Sequence, residues 1–265
     1  MTRRNALKAI QWLRRLAPHP DESLAGFLGR WARENVLASR TKLLNTLGIS
    51  RAIRLPASEL PKLASLLGLQ VAALESIAPG TEPTRAVLRK SHTRSDTEAV
   101  CPQCLSEASY SRQLWSHCLA TACPVHETRL RDHCQQCGEG IRHNRPLPHL
   151  CDCGADLRVQ TTDPATKAEV DFSALLMGDQ PKGSTIPLFL GDGIPAEIDL
   201  YVWGLANHFG CSTNGEPLAK AGKLPLPNSV AQAMDRLGPL FELLEDWPQR
   251  FDAPLKQMLE PGPAV

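Results

Sequence analysis

Apolar residues recur at helical spacing along most of the chain, and this periodicity predicts a mainly α-helical protein. Seven stretches carry the pattern: 24–32, 41–47, 60–78, 170–176, 197–209, 228–245 and 251–259. Asp21 and Ser23 are candidate caps for the first of these helices, and Gly48 is a candidate stop for the second. Gly238-Pro239 interrupts the 228–245 stretch and predicts that this helix could be split into two.

The 60–78 stretch has the rhythm of a helix-turn-helix. Ala64 is small where two helices would cross, and Gly68 follows four residues later, where the turn needs a positive φ. The second helix would offer Gln70, Glu75 and Ser76 but no Arg, Lys or Asn to contact base edges. The pattern therefore favours a packing or protein-contact role over sequence-specific reading of DNA by this helix.

Four short cysteine and histidine pairs lie between residues 101 and 153. A tetrahedral structural zinc site needs four soft donors, which chains usually supply as two such pairs. The sequential grouping predicts two sites, each closed by protein ligands and each holding one Zn²⁺. The eight predicted ligands are Cys101, Cys104, Cys123 and His126 in the first site, and Cys134, Cys137, Cys151 and Cys153 in the second.

Two alternatives to this ligand set remain open. The cysteines could form disulfides, but the N-terminus lacks the apolar core of a signal peptide, which favours a reducing cytoplasm where thiols bind metals. Cys118 could replace a ligand in the first site, although a small buried thiol is the simpler interpretation. Zinc would also supply folding free energy to a segment with few large apolar groups.

The composition suits several small units rather than one large core. We expect an N-terminal helical domain with the helix-turn-helix (1–95), a tandem zinc-ribbon region with small β elements (96–158) and a C-terminal helical domain (159–265). No apolar run is long enough to span a membrane, so no membrane association is expected.

Charge is distributed unevenly along the chain. Residues 1–54 hold 11 Lys and Arg against three Asp and Glu, whereas residues 158–265 hold eight against 14. A basic N-terminal quarter indicates contact with a polyanion or an acidic protein surface, although solvated helix faces would give the same pattern. The candidate contact residues are Arg3, Arg4, Arg14, Arg15, Arg30 and Arg33. Four further arginines are expected to offset the negative charge of the thiolate sites: Arg129, Arg131, Arg142 and Arg145.

No constellation of catalytic residues is recognisable in the sequence. The phosphate-binding, nucleophile-elbow and metalloprotease motifs are absent, and both predicted zinc sites are filled by protein, which leaves no position for a reactive water. The protein is therefore not expected to be an enzyme.

Three motifs resemble the TniQ family of transposition target-selection proteins, which includes TnsD-like members. The first runs from Pro20 to Arg30 and is similar to the family's P-x-E-S-L-x-x-W-x-x-R opening, with Phe27 where tryptophan is common. The second is the ordered cysteine and histidine set from Cys101 to Cys137. The third is the run from Leu244 to Phe251, which is similar to a D-W-P-x-x-F element. Many members are longer in the C-terminal helical region.

The resemblance implies an adaptor without catalytic activity. Such an adaptor joins a target-recognising element, either an RNA-guided CRISPR effector complex or a DNA site, to an AAA+ ATPase regulator that recruits the transposase. It also implies a cytoplasmic, nucleoid-associated protein of a bacterium, and a homodimer is possible. The alternative is a zinc-containing helix-turn-helix transcriptional regulator that binds DNA by itself.

Overall fold

The computed structural model describes residues 12–49, 55–80, 83–94, 96–184, 186, 194–209 and 225–245. Within these residues the chain is mainly helical, as predicted, with one small sheet. The α-helices are α1 (Leu24–Glu34), α2 (Arg40–Thr46), α3 (Leu60–Leu67), α4 (Val71–Glu75), α5 (Pro102–Glu107), α6 (Lys167–Met177), α7 (Ile198–Phe209) and α8 (Val230–Glu245). The strands are β1 (Ala122–Cys123) and β2 (Thr128–Arg129), which pair antiparallel. The predicted helix over 251–259 and the motif positions 246–251 lie outside the described residues.

The first two helices begin and end on local signals that the sequence carries. The Ser23 side chain accepts a hydrogen bond from the backbone N–H of Gly26 and so caps α1. The apolar stripe of α1 is buried, with Phe27 and Trp31 fully enclosed. Ser39 caps α2 in the same way, and Gly48 follows that helix with a φ of +62°. Both helices therefore match their predicted positions within one or two residues.

Helices α3 and α4 follow each other across a tight turn. Gly68 ends α3 with a φ of +70°, and its N–H bonds back to the carbonyls of Ala64 and Ser65. The predicted apolar positions Leu63, Leu67 and Leu74 are completely buried. Helix α4 is only five residues long, which is a short element for reading a DNA groove. The helix–turn–helix order is present, and its assignment as a DNA-binding motif stays a prediction.

Residues 97–157 contain little regular structure. Apart from α5, the described segment has two strands of two residues each and short 3₁₀ turns. Isolated bridges tie the segment together, among them Thr97 with Arg142, Val100 with Arg131 and Leu150 with Asp156. The two-stranded sheet is the only sheet in the described residues, so a second zinc-ribbon hairpin stays a prediction.

Three helices follow the cysteine-rich segment. A capping box between Thr166 and Glu169 begins α6 a turn earlier than the predicted start at Val170, and Gly178 ends it with a φ of +86°. Helix α8 runs unbroken through Pro239, so the predicted split does not occur. Pro239 and Asp235 are both exposed, so the carbonyl that the proline leaves without an N–H partner can bond to water. The buried stripe of α8 continues on both sides of the proline.

The buried apolar residues form two cores. One spans residues 24–77 and holds helices α1 to α4. The other spans residues 86–244 and includes side chains from the cysteine-rich segment and from α6, α7 and α8. Helix α6 packs against β1, against the turn at Ala86–Leu88 and against α8. The domain boundaries at residues 95 and 158 stay predictions. No helix in the described part of the chain is both long and apolar enough to cross a bilayer.

A polar junction joins the two cores, and it is built from residues 20–23 and 111–113. The N–H of Ser23 bonds to the carbonyl of Ser111 at 2.9 Å, and the N–H of Gln113 bonds to the carbonyl of Asp21 at 2.7 Å. Glu22 is fully buried here and pairs with Arg30 at 2.6 Å. The predicted motif from Pro20 to Arg30 therefore holds the N-terminal helices against the rest of the molecule.

A close approach makes Gly26 necessary at this junction. A Cβ on Gly26 would lie 2.8 Å from the Cβ of Ser111 and 3.0 Å from its carbonyl oxygen. Because those two atoms are fixed by backbone pairing, a side chain at this position would push the two cores apart.

The turn at Gly68 predicts a contrast between two glycine substitutions. Gly68→Ala should lower the free energy of unfolding by about 1 kcal/mol because alanine disfavours a positive φ. Gly29→Ala, within α1, should be neutral or stabilise by up to ~1 kcal/mol, because a Cβ there meets nothing within 4 Å and alanine favours helix. The urea midpoints of both variants measure the difference, and equal midpoints would contradict the assignment of a left-handed turn at Gly68.

Candidate metal centres

The first set of predicted ligands comes together around the start of α5 and the β1–β2 turn. Cys101 is the residue before α5, and Pro102 at the first helical position leads to Cys104 one turn on. Cys123 ends β1, and Glu127 at a φ of +53° lets the chain turn back after His126. Cys101, Cys104 and Cys123 are all buried. Short local elements therefore supply all four side chains.

The distances in this set fit a tetrahedral metal. The Nδ1 atom of His126 lies 3.5 Å from the Cys101 sulfur, 3.3 Å from the Cys104 sulfur and 3.6 Å from the Cys123 sulfur, and the Cys104 and Cys123 sulfurs are 3.5 Å apart. Metal–sulfur bonds of ~2.3 Å and metal–nitrogen bonds of ~2.0 Å separate tetrahedral donors by about 3.5–3.8 Å. These four residues could therefore hold one ion.

The other nitrogen of His126 has its own partner. Its Nε2 lies 3.0 Å from a carboxylate oxygen of Glu107, at the end of α5. A carboxylate on the far side of a ligating imidazole fixes the ring orientation and strengthens the ligand. Glu107 was not singled out by the sequence analysis. Its place one turn after Cys104 on a short helix is the signal that could have identified it.

The second set is formed by two turns. Gly138 at a φ of +76° closes the turn that carries Cys134 and Cys137, and Gly154 at +88° closes the turn that carries Cys151 and Cys153. The sulfurs of Cys134 and Cys153 are 3.9 Å apart, and those of Cys137 and Cys151 are 3.7 Å apart. These four residues could hold a second ion. The structure thus groups the eight cysteine and histidine residues into the two sets of four that the sequence predicts.

Backbone and amide donors support the second set. Burial acts to raise the pKa of the Cys134 thiol, but the N–H groups of Cys137 and Gln136 and the side-chain amide of Gln160 lower it to about 6. Gln160 donates to the Cys134 sulfur at 3.3 Å. A thiol that ionises near neutral pH binds a cation with little free-energy cost of deprotonation.

The two sets differ in exposure. In the second set Cys137 and Cys153 are exposed, whereas the three cysteines of the first set are buried. A chelator in solution can reach an exposed ligand directly, so the second ion should exchange faster than the first. Cys118 is buried outside both sets, and Cys211 lies outside the described residues.

The four arginines expected to offset the thiolate charge bind elsewhere. Each guanidinium instead bonds to a carboxylate or to a backbone carbonyl. The pairs are Arg129 with Glu169, Arg131 with the carbonyl of Thr161, Arg142 with Asp152 and Arg145 with Glu98. Only the Arg142 pair involves a residue within the second set of turns. No hydrogen bond or ion pair joins these arginines to a ligand sulfur among the described residues, and their offset of the thiolate charge stays a prediction.

Glu98 is the most enclosed of these carboxylates. Burial acts to raise the pKa of Glu98, but the Arg145 guanidinium at 2.5 Å and the neighbouring His143 lower it to about 2. Ser111 donates a further hydrogen bond to Glu98 at 3.1 Å. Glu98 thus ties Arg145, in the loop between Cys137 and Cys151, to Ser111 of the polar junction.

A third group of titratable residues was not anticipated. Asp199, in the first turn of α7, accepts a hydrogen bond from Arg89 Nε at 2.7 Å and lies 2.5 Å from His92 Nδ1. His117 Nε2 lies 3.5 Å from the same oxygen. All four side chains are at least nine-tenths buried. No local sequence signal relates Asp199 to residues more than 80 positions earlier, so only the tertiary fold reveals the group.

The hydrogen bonding of this group favours a buried ion-pair cluster over a metal site. One ligand atom from each of His92, His117 and Asp199 lies within 4.8 Å of the others, so distance alone permits an ion. The N–H of Leu119, however, donates to His117 Nδ1 at 3.3 Å, which places the imidazole proton on Nε2. A protonated Nε2 cannot ligate, and the Arg89 cation occupies the same carboxylate oxygen. We therefore interpret the group as the attachment of α7 to residues 89–117.

The candidate contact arginines have mixed surroundings. Arg14 pairs with Glu34 at 2.9 Å and Arg30 pairs with buried Glu22, so each already holds a carboxylate. Arg15 is exposed, and burial lowers the pKa of Arg33. Arg3 and Arg4 lie outside the described residues. The contact role of all six stays a prediction.

Comparison with models of protein families gives a match over the N-terminal part of the chain. Residues 13–130 match the family model described as TniQ. The matched region includes α1 to α5, the polar junction, β1 and the first set of metal ligands, and it ends at Leu130, before the second set. No curated protein matches the chain.

Metal content of three cysteine variants tests the two sets. Cys101→Ser and Cys137→Ser should each lose one of two bound ions, since each removes one ligand of a different set. Cys118→Ser is the control and should keep both. Atomic emission analysis of the purified full chains gives the stoichiometry. Retention of both ions by either ligand variant would contradict the assignment.

The protonation of His117 is a separate prediction. Burial lowers the pKa of His117 to about 4, so the ring should stay neutral, with its proton on Nε2, from pH 7 down to about pH 5.5. Because the folded pKa is below the unfolded value of about 6.5, protonation favours unfolding, and stability should fall as the pH drops from about 6.5 towards 4. Long-range ¹⁵N NMR reports the tautomer. A proton on Nδ1 together with a third bound ion would contradict the ion-pair interpretation.

Proposed function

Residues 13–130 belong to the TniQ family, and from this membership we propose that the chain is a target-selection adaptor of a transposition system. The family is associated with transposition and serves it as a non-enzymatic accessory. In this proposal the chain joins a target-recognising element to an AAA+ ATPase regulator, and through that ATPase to the transposase. The observation that carries the proposal is the family match itself, together with the structural unit that it covers.

The motif residues that define the match have structural roles that support this proposal. Glu22, at the polar junction, pairs with Arg30. The ligands of the first metal set lie on both sides of junction residues 111–113 in the chain, with Cys101 and Cys104 before them and Cys123 and His126 after. An adaptor must present two surfaces at a fixed relative position. A junction built from backbone hydrogen bonds and a buried ion pair would provide that rigidity.

The metal ions are proposed to be two structural Zn²⁺. Three thiolates with one imidazole, and four thiolates, are donor sets that zinc favours. All four positions of each tetrahedron are taken by protein side chains, so neither ion would have an open position for a water nucleophile. The ions would stabilise the fold without taking part in catalysis, in keeping with an adaptor.

The surface of α4 supports protein bridging over autonomous reading of DNA. Gln70 precedes this five-residue helix, Glu75 ends it and Ser76 follows, and none of them is a cation. Major-groove readers grip guanine or adenine edges with Arg, Lys, Asn or Gln side chains, and only Gln70 belongs to that set. Target choice is therefore proposed to come from a partner, either an RNA-guided CRISPR effector or a separate DNA-recognising element.

A second candidate function is a helix-turn-helix transcriptional regulator. The observation that favours it is the basic N-terminal region, in which Arg15 and Lys42 have no carboxylate partner among the described residues. This hypothesis requires tight and sequence-selective binding of DNA by the isolated chain, with an affinity that falls steeply as the salt concentration rises.

DNA binding with and without the ATPase distinguishes the two functions. The purified chain is titrated onto double-stranded DNA alone, and then with the proposed AAA+ ATPase regulator and ATP. The adaptor predicts weak, non-selective binding alone, with a Kd of about 10⁻⁶ M or weaker at physiological salt, and at least tenfold tighter binding with the ATPase. Omission of ATP is the control.

Two results would contradict the adaptor. Tight, sequence-selective binding by the chain alone would favour the transcriptional regulator. An affinity for DNA that the ATPase does not change, combined with no complex between the two proteins on a sizing column, would remove the proposed link to the transposase.

A further inference from the structure

A cleft lies between the two apolar cores, beside the polar junction. Side chains of α1 and α2 line it, together with described residues around Ile77, Val87 and Arg94 and with Gln113 and Ser116. The cavity volume is about 60 Å³, and most of its surface is apolar. Its apolar lining includes Leu24, Leu28, Leu44, Ile77, Val87 and Leu88. We call this feature the Arg40 cleft, after the guanidinium that lines it.

The charge around the cleft is of one sign. Arg40, Arg94 and His143 line it, and no Asp or Glu is among the described lining residues. The guanidinium of Arg40, at the start of α2, forms no hydrogen bond or ion pair with any residue that the structure describes. Burial lowers the pKa of Arg40, and distant Glu98 only partly offsets the effect. Within the described part of the chain, no carboxylate therefore contacts this half-buried cation.

Arg94 provides a second, independent sign of a missing partner. Its side chain is 2% exposed, and its two terminal nitrogens donate to the carbonyls of Trp115, Cys118 and Ala120. Its Nε–H, however, is buried with no acceptor within the described part of the chain. A buried donor without a partner costs stability, so an acceptor from outside is the expected complement.

We propose that the Arg40 cleft binds a segment of a partner protein that carries a short aliphatic side chain next to a carboxylate. The aliphatic group would fill the apolar walls, and the carboxylate would pair with the Arg40 guanidinium, which matches carboxylate geometry with two parallel N–H donors. A cavity of roughly 150 Å³ accommodates benzene, so the smaller cleft fits a side chain of the size of leucine or valine better than an aromatic ring.

Nucleic acid fits the same features poorly. Single-stranded bases bind by stacking on aromatic rings, and no Phe, Tyr or Trp is among the described residues that line the cleft. A phosphate could pair with Arg40, but the apolar walls would then remain uncovered. The proposal does not depend on the transposition role, because the cleft would take this chemistry in whichever complex the chain serves.

The test uses two small probes that differ only in charge. N-acetyl-L-leucine presents an isobutyl group beside a carboxylate, and N-acetyl-L-leucinamide presents the same group without the charge. Each is titrated into the full chain, and methyl NMR follows Leu28, Leu44, Ile77 and Val87. The acid should shift these methyl signals saturably and bind at least about tenfold more tightly than the amide, because a hydrogen bond to a charged group is lost in the amide.

Two variants connect the effect to Arg40. Arg40→Gln should abolish the preference for the acid, and Arg40→Lys should retain part of it because the charge remains but the planar fork is lost. Arg14→Gln is the matched control, since Arg14 is an exposed arginine outside the cleft. Methyl signals that do not respond to the acid, equal affinities for acid and amide, or an unchanged preference in a folded Arg40→Gln chain would each overturn the proposal.

Discussion

Two sets of four side chains that could each hold a metal ion would provide for residues 97–157 the cohesion that helices provide elsewhere in the described chain. The segment has one six-residue helix and two-residue strands, too little regular structure to bury its backbone polar groups by itself. Its turns instead converge on sulfur and nitrogen atoms 3.3–3.9 Å apart. Ligation of an ion at each set would fix those turns. The fixed turns would then hold Val100 close to Arg131 and Leu150 close to Asp156, which form isolated bridges.

The polar junction connects the cysteine-rich segment to the N-terminal helices. Backbone hydrogen bonds join Ser23 to Ser111 and Gln113 to Asp21, the Gln113 side chain donates to the carbonyl of buried Glu22, and Arg112 pairs with Asp21. On the other side, Asp199 attaches α7 to Arg89 and His92. Polar contacts thus attach both groups of helices, and breaking one partner of the buried Arg89–Asp199 pair is far more costly than breaking a surface pair. The proposed adaptor role depends on that rigidity.

Much of this arrangement could be predicted from the sequence because its causes are local. Periodic apolar positions, the Ser23 cap and the glycines at 48 and 68 locate the helices, and the spacing of the cysteine pairs groups the eight ligands. The rest depends on tertiary contacts. Asp199 contacts His92, which lies 107 positions earlier in the chain, and Arg145 pairs with Glu98 rather than with a thiolate. Helix α8 continues through Pro239 because the exposed face of the helix tolerates the lost hydrogen bond.

Hydrogen exchange of the full chain with and without a chelator tests most directly whether metal-held turns organise the molecule. Removal of the ions should expose the amides of Val100 and Ile141, and then that of Ser23, whose acceptor is Ser111. The interior amides of α1 and α3, which lie in the separate core of residues 24–77, should stay protected. Unchanged protection at Val100, Ile141 and Ser23 after complete loss of metal would contradict the account.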